Sequence, residues 1–344
     1  MTPSSWRAET CTIDGFVATL DLRPSWQPRS QLVGDAGRIV AETDVVASPT
    51  TFALIDVPNL TSPQATGPVL SIAAASPNGG WNACPLSVSV AGQALATQTA
   101  AAKSLLGRTS SVLANADSHL IDLANSVDVE LIDPQQWMIS CDDDALADGT
   151  NLAIIGNELV QFGRATALGN GRFRLSRLLR GRGGTEWATA THLPDELFCL
   201  LAGSSLRSVS IPPWARGSVI SVADRNGSSA SLNFAGESVR PLQPVNLSAS
   251  FGTDGSLSLC WTRRSRNGFA WLDEVDVPVG ESREQYLVSI IGAAADLEVS
   301  AGQASAIVAA GDLAPLGSGP ATVEVRQVGD WAASRPTQLT INLP

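Results

Sequence analysis

Residues able to do acid–base, nucleophilic or metal chemistry are scattered along this chain and form no recognisable catalytic motif. Only two histidines occur, His119 and His192, and neither belongs to an HExxH pair or a tight cluster of metal-ligand types. Each is expected in an ordinary surface or hydrogen-bonding role. No G-x-S-x-G elbow marks a nucleophilic serine. No Walker-type loop is present, and no G-x-G-x-x-G lies between a strand and a helix to cradle a phosphate. The run Cys141-Asp142-Asp143-Asp144 with Asp148 could gather a hard cation through Asp142, Asp144 and Asp148, because calcium takes several carboxylate oxygens. Its spacing is not that of an EF-hand loop, and a solvated acidic loop is the plainer reading. Glu274, Glu281 and Glu284 near Trp271 could supply the facing carboxylates of a polysaccharide-cleaving site. With 33 acidic residues, such sets also arise by chance. The expectation is a non-catalytic protein with no cofactor, and a carbohydrate-binding module or a glycoside hydrolase is the alternative.

The basic residues are more concentrated. Arg172, Arg174, Arg177, Arg180 and Arg182, with Gly181, Gly183 and Gly184, form the densest stretch. Arg263, Arg264 and Arg266 form a second, followed closely by Phe269 and Trp271. The formal net charge is -11, so the body of the protein repels phosphate backbones and nucleic acid is not an expected partner. Arginine beside glycine suits a bidentate ion pair with a carboxylate, inside the chain or across a protein contact. Trp with Arg is a common interface anchor. The interaction candidates are therefore Arg263, Arg264, Arg266, Phe269 and Trp271, together with Arg180 and Arg182.

The elements that must carry these side chains read as strands. Alternation in Leu86-Ser-Val-Ser-Val90 puts Leu86, Val88 and Val90 on one face. Gly156-Asn157 between two branched runs predicts a tight hairpin, and Leu168-Gly-Asn-Gly171 predicts a second. In its returning strand Phe173, Leu175 and Arg177 are expected on one face. Residues 98–107 admit a short helix or a strand, and 35–40 reads as a strand. Arg240-Pro-Leu-Gln-Pro244 reads as a stiff interdomain hinge. After it, seven strand candidates between Val245 and Leu343 resemble a fibronectin type III sandwich with Trp261 and Tyr286 in its core. The reading is all-β and multidomain, with small barrel-like or sandwich domains ahead of a fibronectin type III-like sandwich. The expected domains are a β-rich 1–132, incomplete within 1–50, a compact β domain 133–238, and 239–344. The five cysteines, one per distant segment, read as free thiols. No signal peptide and no run long enough to cross a bilayer is seen, so synthesis in the cytoplasm without membrane insertion is expected.

Several strings are familiar. Asn151-Leu-Ala-Ile-Ile-Gly-Asn-Glu-Leu-Val-Gln-Phe162, then Gly171-Arg-Phe-Arg-Leu-Ser-Arg-Leu-Leu-Arg-Gly-Arg-Gly-Gly-Thr-Glu186, resemble the C-terminal region of the tail-tip proteins of phages and gene transfer agents. These are host-specificity or baseplate hub proteins, often with a TIM-barrel-like part upstream. His192 to Leu201, Trp261 to Arg266, Gly280 to Tyr286 and Gln327 to Asp330 continue the likeness. The resemblance implies a virion or phage-like particle component at the distal end of the tail, assembled as a homo-trimer with other tail or baseplate proteins. It further implies contact with a host saccharide or envelope protein, and it brings no catalytic residues with it.

Overall fold

The computed structural model describes residues 5–25, 48–58, 67–77, 81–266 and 278–344. The chain divides into two units, 1–46 and 47–344. In the first, Trp6–Asp14 (β1) and Val17–Pro24 (β2) pair antiparallel. The register sets Cys11 against Leu20 and Ile13 against Ala18 on one face, and Thr12 against Thr19 on the other, so the hairpin is amphipathic. The strand expected at 35–40 lies outside the described residues.

The second unit begins with Thr51–Ile55 (β3), Val69–Ala75 (β4), Cys84–Val90 (β5) and Gln93–Ala100 (β6). Leu106–Thr109 (β7), Asp122–Leu131 (β8), a single helical turn Asp143–Ala147 (α1), Leu152–Ile155 (β9), Glu158–Gly169 (β10), Arg172–Leu179 (β11) and Leu197–Leu200 (β12) follow. Then come Arg207–Ser210 (β13), Val219–Asp224 (β14) and Ser229–Asn233 (β15). The 98–107 segment thus resolves into the end of one strand and the start of another. Strands β7 to β12 close into a barrel in the order β10-β11-β8-β7-β12-β9.

Beyond the barrel the chain returns to where it left. β13 pairs with β4, and β14 with β5. The sheets β13-β4-β3 and β15-β14-β5-β6 share one core of Phe52, Leu70, Ile72, Leu86, Val88, Ile220, Val222 and Phe234, so they form one sandwich with the barrel inserted into it. This corrects the expected division into 1–132 and 133–238, because that boundary falls inside the barrel, between β8 and β9. The pairing that decides the matter joins segments far apart in sequence, and it leaves no local pattern.

In the small sheet, β3 and β4 are buried on both faces along most of their length, which explains their nearly unbroken apolar sequence, whereas the edge strand β13 is largely exposed. Leu54, Leu70, Ile72 and Ala74 face the sandwich core. Ala53, Ile55, Ala73 and Ala75 face the barrel and meet Leu106, Ile154, Leu159 and Cys199. The alanines let the two bodies approach closely. The fully buried Ser104 staples the two chain crossings between them. Its backbone N–H donates to the Ala74 carbonyl at 2.8 Å, and its Oγ donates to the Ser205 carbonyl at 2.8 Å.

Inside the barrel both hairpins form at the expected glycines. Gly156 takes φ 57 at the first loop position between β9 and β10. Asn170 and Gly171 take φ 53 and 72 between β10 and β11, the pair of positive values a type I′ turn demands. Phe173 and Leu175 point inward as read from the sequence, but Arg177 does not join them. It sits at φ 56 where the register shifts, and Leu178 takes the next inward position. Arg177 instead pairs with Asp143.

The C-terminal part comprises Val245–Phe251 (β16), Leu257–Thr262 (β17), Tyr286–Ile291 (β18), Asp296–Ala301 (β19), Ser305–Val308 (β20), a helical turn Ala310–Leu313 (α2), Gly319–Gln327 (β21) and Thr337–Leu343 (β22). Its sheets run β16-β17-β20 and β19-β18-β21-β22, a three-on-four antiparallel sandwich of fibronectin type III character. Trp261 and Tyr286 sit in its core, edge to face at 5.1 Å. The prolyl linker is not a bare hinge. Arg240 Nη1 donates to the Ala333 carbonyl at 2.9 Å, and Gln243 Nε2 donates to the Pro336 carbonyl at 2.9 Å.

Candidate functional site

Among the described residues, the densest collection of ionisable groups lies at one end of the barrel and is largely shielded from water. Strand β10 starts with Glu158, the end of β11 supplies Arg180, β8 starts with Asp122, and the segment entering β12 brings His192 and Glu196. The Arg180, Glu158, His192 and Asp122 side chains are at most 4% exposed. Arg180 grips Glu158 with both arms of its guanidinium, Nε to Oε1 and Nη2 to Oε2, each at 2.9 Å. Its Nη1 donates to the Ala114 carbonyl at 2.8 Å and to Asp122 Oδ2 at 3.3 Å. Glu158 also accepts the Gly181 backbone N–H at 2.6 Å. The ring of His192 lies between carboxylates, Nε2 at 2.6 Å from Glu158 and Nδ1 at 2.7 Å from Glu196.

Glycine makes room for this arrangement. A Cβ on Gly156 would stand 2.5 Å from Glu196 Oε1, and one on Gly181 would meet Glu186 at 2.9 Å. Burial alone would raise the Glu158 carboxyl, but hydrogen bonds from His192, Arg180 and Gly181 outweigh it and hold the group below the usual carboxylate range. Asp122 is likewise held down against burial by donors from Asn125, Ala124 and Arg180. Every hydrogen-bonding edge of the Glu158–Arg180 pair is engaged. A general acid or base needs a free edge toward substrate, and this pair offers none.

From this cluster an arm of two short 3-10 turns, Arg182–Gly184 and Glu186–Ala188, reaches the C-terminal sandwich. Arg264 Nη2 donates to Glu186 Oε1 at 2.7 Å. The guanidinium of Arg335 stacks on Trp187, 3.7 Å from the ring centroid, and also forks onto Glu237 at 2.8 and 3.1 Å. Glu237 closes a turn whose Ala235, Gly236 and Glu237 amides all donate to the Asp56 carboxylate at 2.8–2.9 Å. Burial pushes the Asp56 carboxyl up to about 6 despite those amides, and Glu237 adds to the rise. The barrel, the split sandwich and the C-terminal sandwich thus meet at one set of charged residues.

The structure distributes the residues singled out from the sequence unevenly. Arg180 is at the centre of the buried cluster and Arg264 is in the arm's ion pair. Arg263 lies 3.8 Å from Glu284, and Arg266 donates to Glu281 at 2.7 Å. Arg182 is exposed, with no ion pair among the described residues. Phe269 and Trp271 lie outside the described residues, as does Glu274. Asp142 caps α1, accepting the Ala145 N–H at 2.9 Å, while Asp144 and Asp148 belong to the same turn. Among the described residues no group of three or more His, Cys, Asp or Glu side chains is placed to hold a metal ion. Glu281 is engaged by Arg266 and the Asp330 N–H, and Glu284 by the Tyr286 hydroxyl. His119 is exposed beside Asp117. Sequence reading did not find Glu158, His192 and Glu196 as a unit. Its one available signal was a glutamate at the start of an apolar, branched strand.

A cleft of about 400 Å³ opens between the small sheet and the barrel, lined by Ile55, Val57, Leu152, Leu200 and Leu206 with Ser71 and Ser238. Among the described residues, no ionisable side chain lines it.

These features define an all-β protein of inserted and stacked domains, with a six-stranded barrel as its insert. A family model described as "Rcc01698-like, C-terminal" matches residues 104–199, the span of that barrel, and the family is associated with gene transfer agent-like proteins. No curated protein matches the chain. Among solved structures, the chain is similar to a two-domain fibronectin type III segment of chicken tenascin (11% identity, 86% of this chain and 99% of that one, TM-score 0.29). It is also similar to the FN1–FN3 domains of chicken CNTN1 (10%, 86% and 98%, TM-score 0.23). Domains d3–d4 of the rat CD45 extracellular region share 9% identity over 34% of this chain and 56% of that one, with a TM-score of 0.23. The fibronectin type III character of the C-terminal sandwich rests on its own strand order.

Proposed function

We propose that the chain is a structural or host-attachment component of a phage-like tail tip or baseplate, and that it performs no catalysis. The observation that carries this reading is the placement of its charged clusters. The buried cluster fixes the root of the barrel's arm, and the ion pairs of Arg264 with Glu186 and of Arg335 with Glu237 join the β bodies at their seams, which suits a part that bears load and contacts neighbours. The family match over the barrel supports the particle context, and the resemblance of the surrounding strings supports the distal end of the tail. On this reading the partners are other tail or baseplate proteins and a host saccharide or envelope protein. A homo-trimer in the assembled particle follows from the same resemblance. The carboxylates needed for the hydrolase alternative are engaged at Glu281 and Glu284, which weighs against it.

Electron microscopy of particles from the producing cell, labelled with antibody to the C-terminal sandwich, tests the proposal. Label at the distal tail end is expected, and particles that carry no label at all would sink it. The attachment half is tested by binding the purified chain to host envelopes. Trp271→Ala should lower binding several-fold, whereas Arg264 is spared because it serves the ion pair with Glu186.

A further inference from the structure

We infer that the proton on His192 locks the arm 180–196, and that the barrel's grip on the C-terminal sandwich loosens when this proton leaves. The geometry requires a charged ring. A carboxylate only accepts hydrogen bonds, and a neutral imidazole has one N–H, yet both ring nitrogens of His192 face carboxylate oxygens at 2.6 and 2.7 Å. Only the imidazolium satisfies both. A neutral ring would aim a lone pair at Glu158 or Glu196 in a site where the His192 side chain is 2% exposed. Glu158 from β10 and Glu196 from the approach to β12 face the ring directly; Arg180 from the end of β11 pairs with Glu158, Asp122 from β8 pairs with Arg180, and the exposed Arg108–Asp195 pair adjoins Glu196 along the chain. With the proton, two cations stand among three carboxylates. Without it, Arg180 stands alone among the same three.

Burial by itself favours the neutral ring, but the hydrogen bonds to Glu158 and Glu196 outweigh it and hold His192 above its usual 6.5. The sign follows. A raised folded-state value gives stability that is complete below 6.5 and is lost as the pH climbs through that raised value. The arm fastened in this way carries Glu186, Trp187 and Gly184, which meet Arg264, Arg335 and Leu242 respectively. When Glu196 and Glu158 lose their shared cation, the 192–196 end of the arm is released while Arg180 still holds the other end. The split sandwich keeps its own hold on the C-terminal part through Glu237 and Arg335, so the switch loosens one of two attachments.

The test uses the full chain with ¹⁵N-labelled histidine. Two-bond proton–nitrogen spectra should show both His192 ring nitrogens protonated at pH 6, with a midpoint above 6.5. Hydrogen exchange corrected for intrinsic rates should show the Ala188, Thr189 and Thr191 amides, which close the arm's turns, losing protection at least tenfold across the same interval. Amides of β8 and β10 should keep theirs. Glu196→Gln should move the ring midpoint and the protection step downward together. His192→Gln should expose the arm amides already at pH 6, with no step. Constant arm protection through the ring's titration, or a step unchanged in His192→Gln, overturns the inference. If His192→Gln does not fold, coincidence or separation of the two wild-type midpoints still decides.

Discussion

Behind the arm of the barrel lie Arg180, Glu158, His192 and Asp122, whereas at the heart of the C-terminal sandwich lie Leu257, Leu259, Val288, Ile290, Val323 and Val325. Both regions are buried, but different forces hold them. An apolar core is non-directional and tolerates small repacking. A buried ionic cluster is stringent. Each charge is stable only while all its partners stay in place, so the cluster fixes one geometry more firmly than it adds net stability. The difference explains why the cluster sits where the barrel must point an arm at its neighbour, while the sandwich needs only to be solid.

Glu158→Ala is the sharpest way to break the comparison. It strands Arg180 and His192 without their shared carboxylate, and should cost about 3–5 kcal/mol in denaturant unfolding followed on the barrel. A loss below about 1 kcal/mol would show that the cluster is not what holds this end together. Leu259→Ala, at a fully buried position, should cost about 2–5 kcal/mol. That loss should appear in the C-terminal sandwich while the barrel's exchange protection is unchanged, and loss in both at once would merge the two regions into one cooperative unit.

Acid should separate them without mutation. Glu158 and Asp122 have folded-state values below their usual 4.5 and 3.8, so their stabilisation is full above those values and fades as the pH falls through the lowered ones. The barrel should therefore lose protection before the C-terminal sandwich does. Asp56 works in the opposite sense. Its value near 6 favours the folded protonated form, so between 6 and 3.8 this group adds stability to the split sandwich as the pH drops. The smallest effect belongs to the seam itself. Arg335→Ala removes the stack on Trp187 and a partly exposed ion pair, and should cost about 1 kcal/mol by thermal unfolding.

Much of the fold was legible in the sequence because its cues are local. Gly156-Asn157 and Asn170-Gly171 announce tight hairpins whatever surrounds them, and the seven strands after the prolyl linker fall where alternation put them. Trp261 and Tyr286 were readable as core aromatics for the same reason. The insertion was not legible. Nothing within β13 or β14 says that its partner is β4 or β5, since one serine-and-valine strand fits another. Arg177 misled because a single bulge inverts the facing of everything after it. The cluster at the barrel's end stayed hidden because Glu158, Arg180 and His192 lie in different local patterns, each of which reads as ordinary on its own.

The two crossings stapled by Ser104 have a mechanical consequence. A domain hung on one linker can spin about that tether and trails behind any pull. Here residues 101–105 and 201–206 leave and re-enter the sandwich side by side, fastened at Ala74 and Ser205. Torque on the barrel therefore passes into the sandwich, and tension divides between two peptide chains anchored in adjoining sheets.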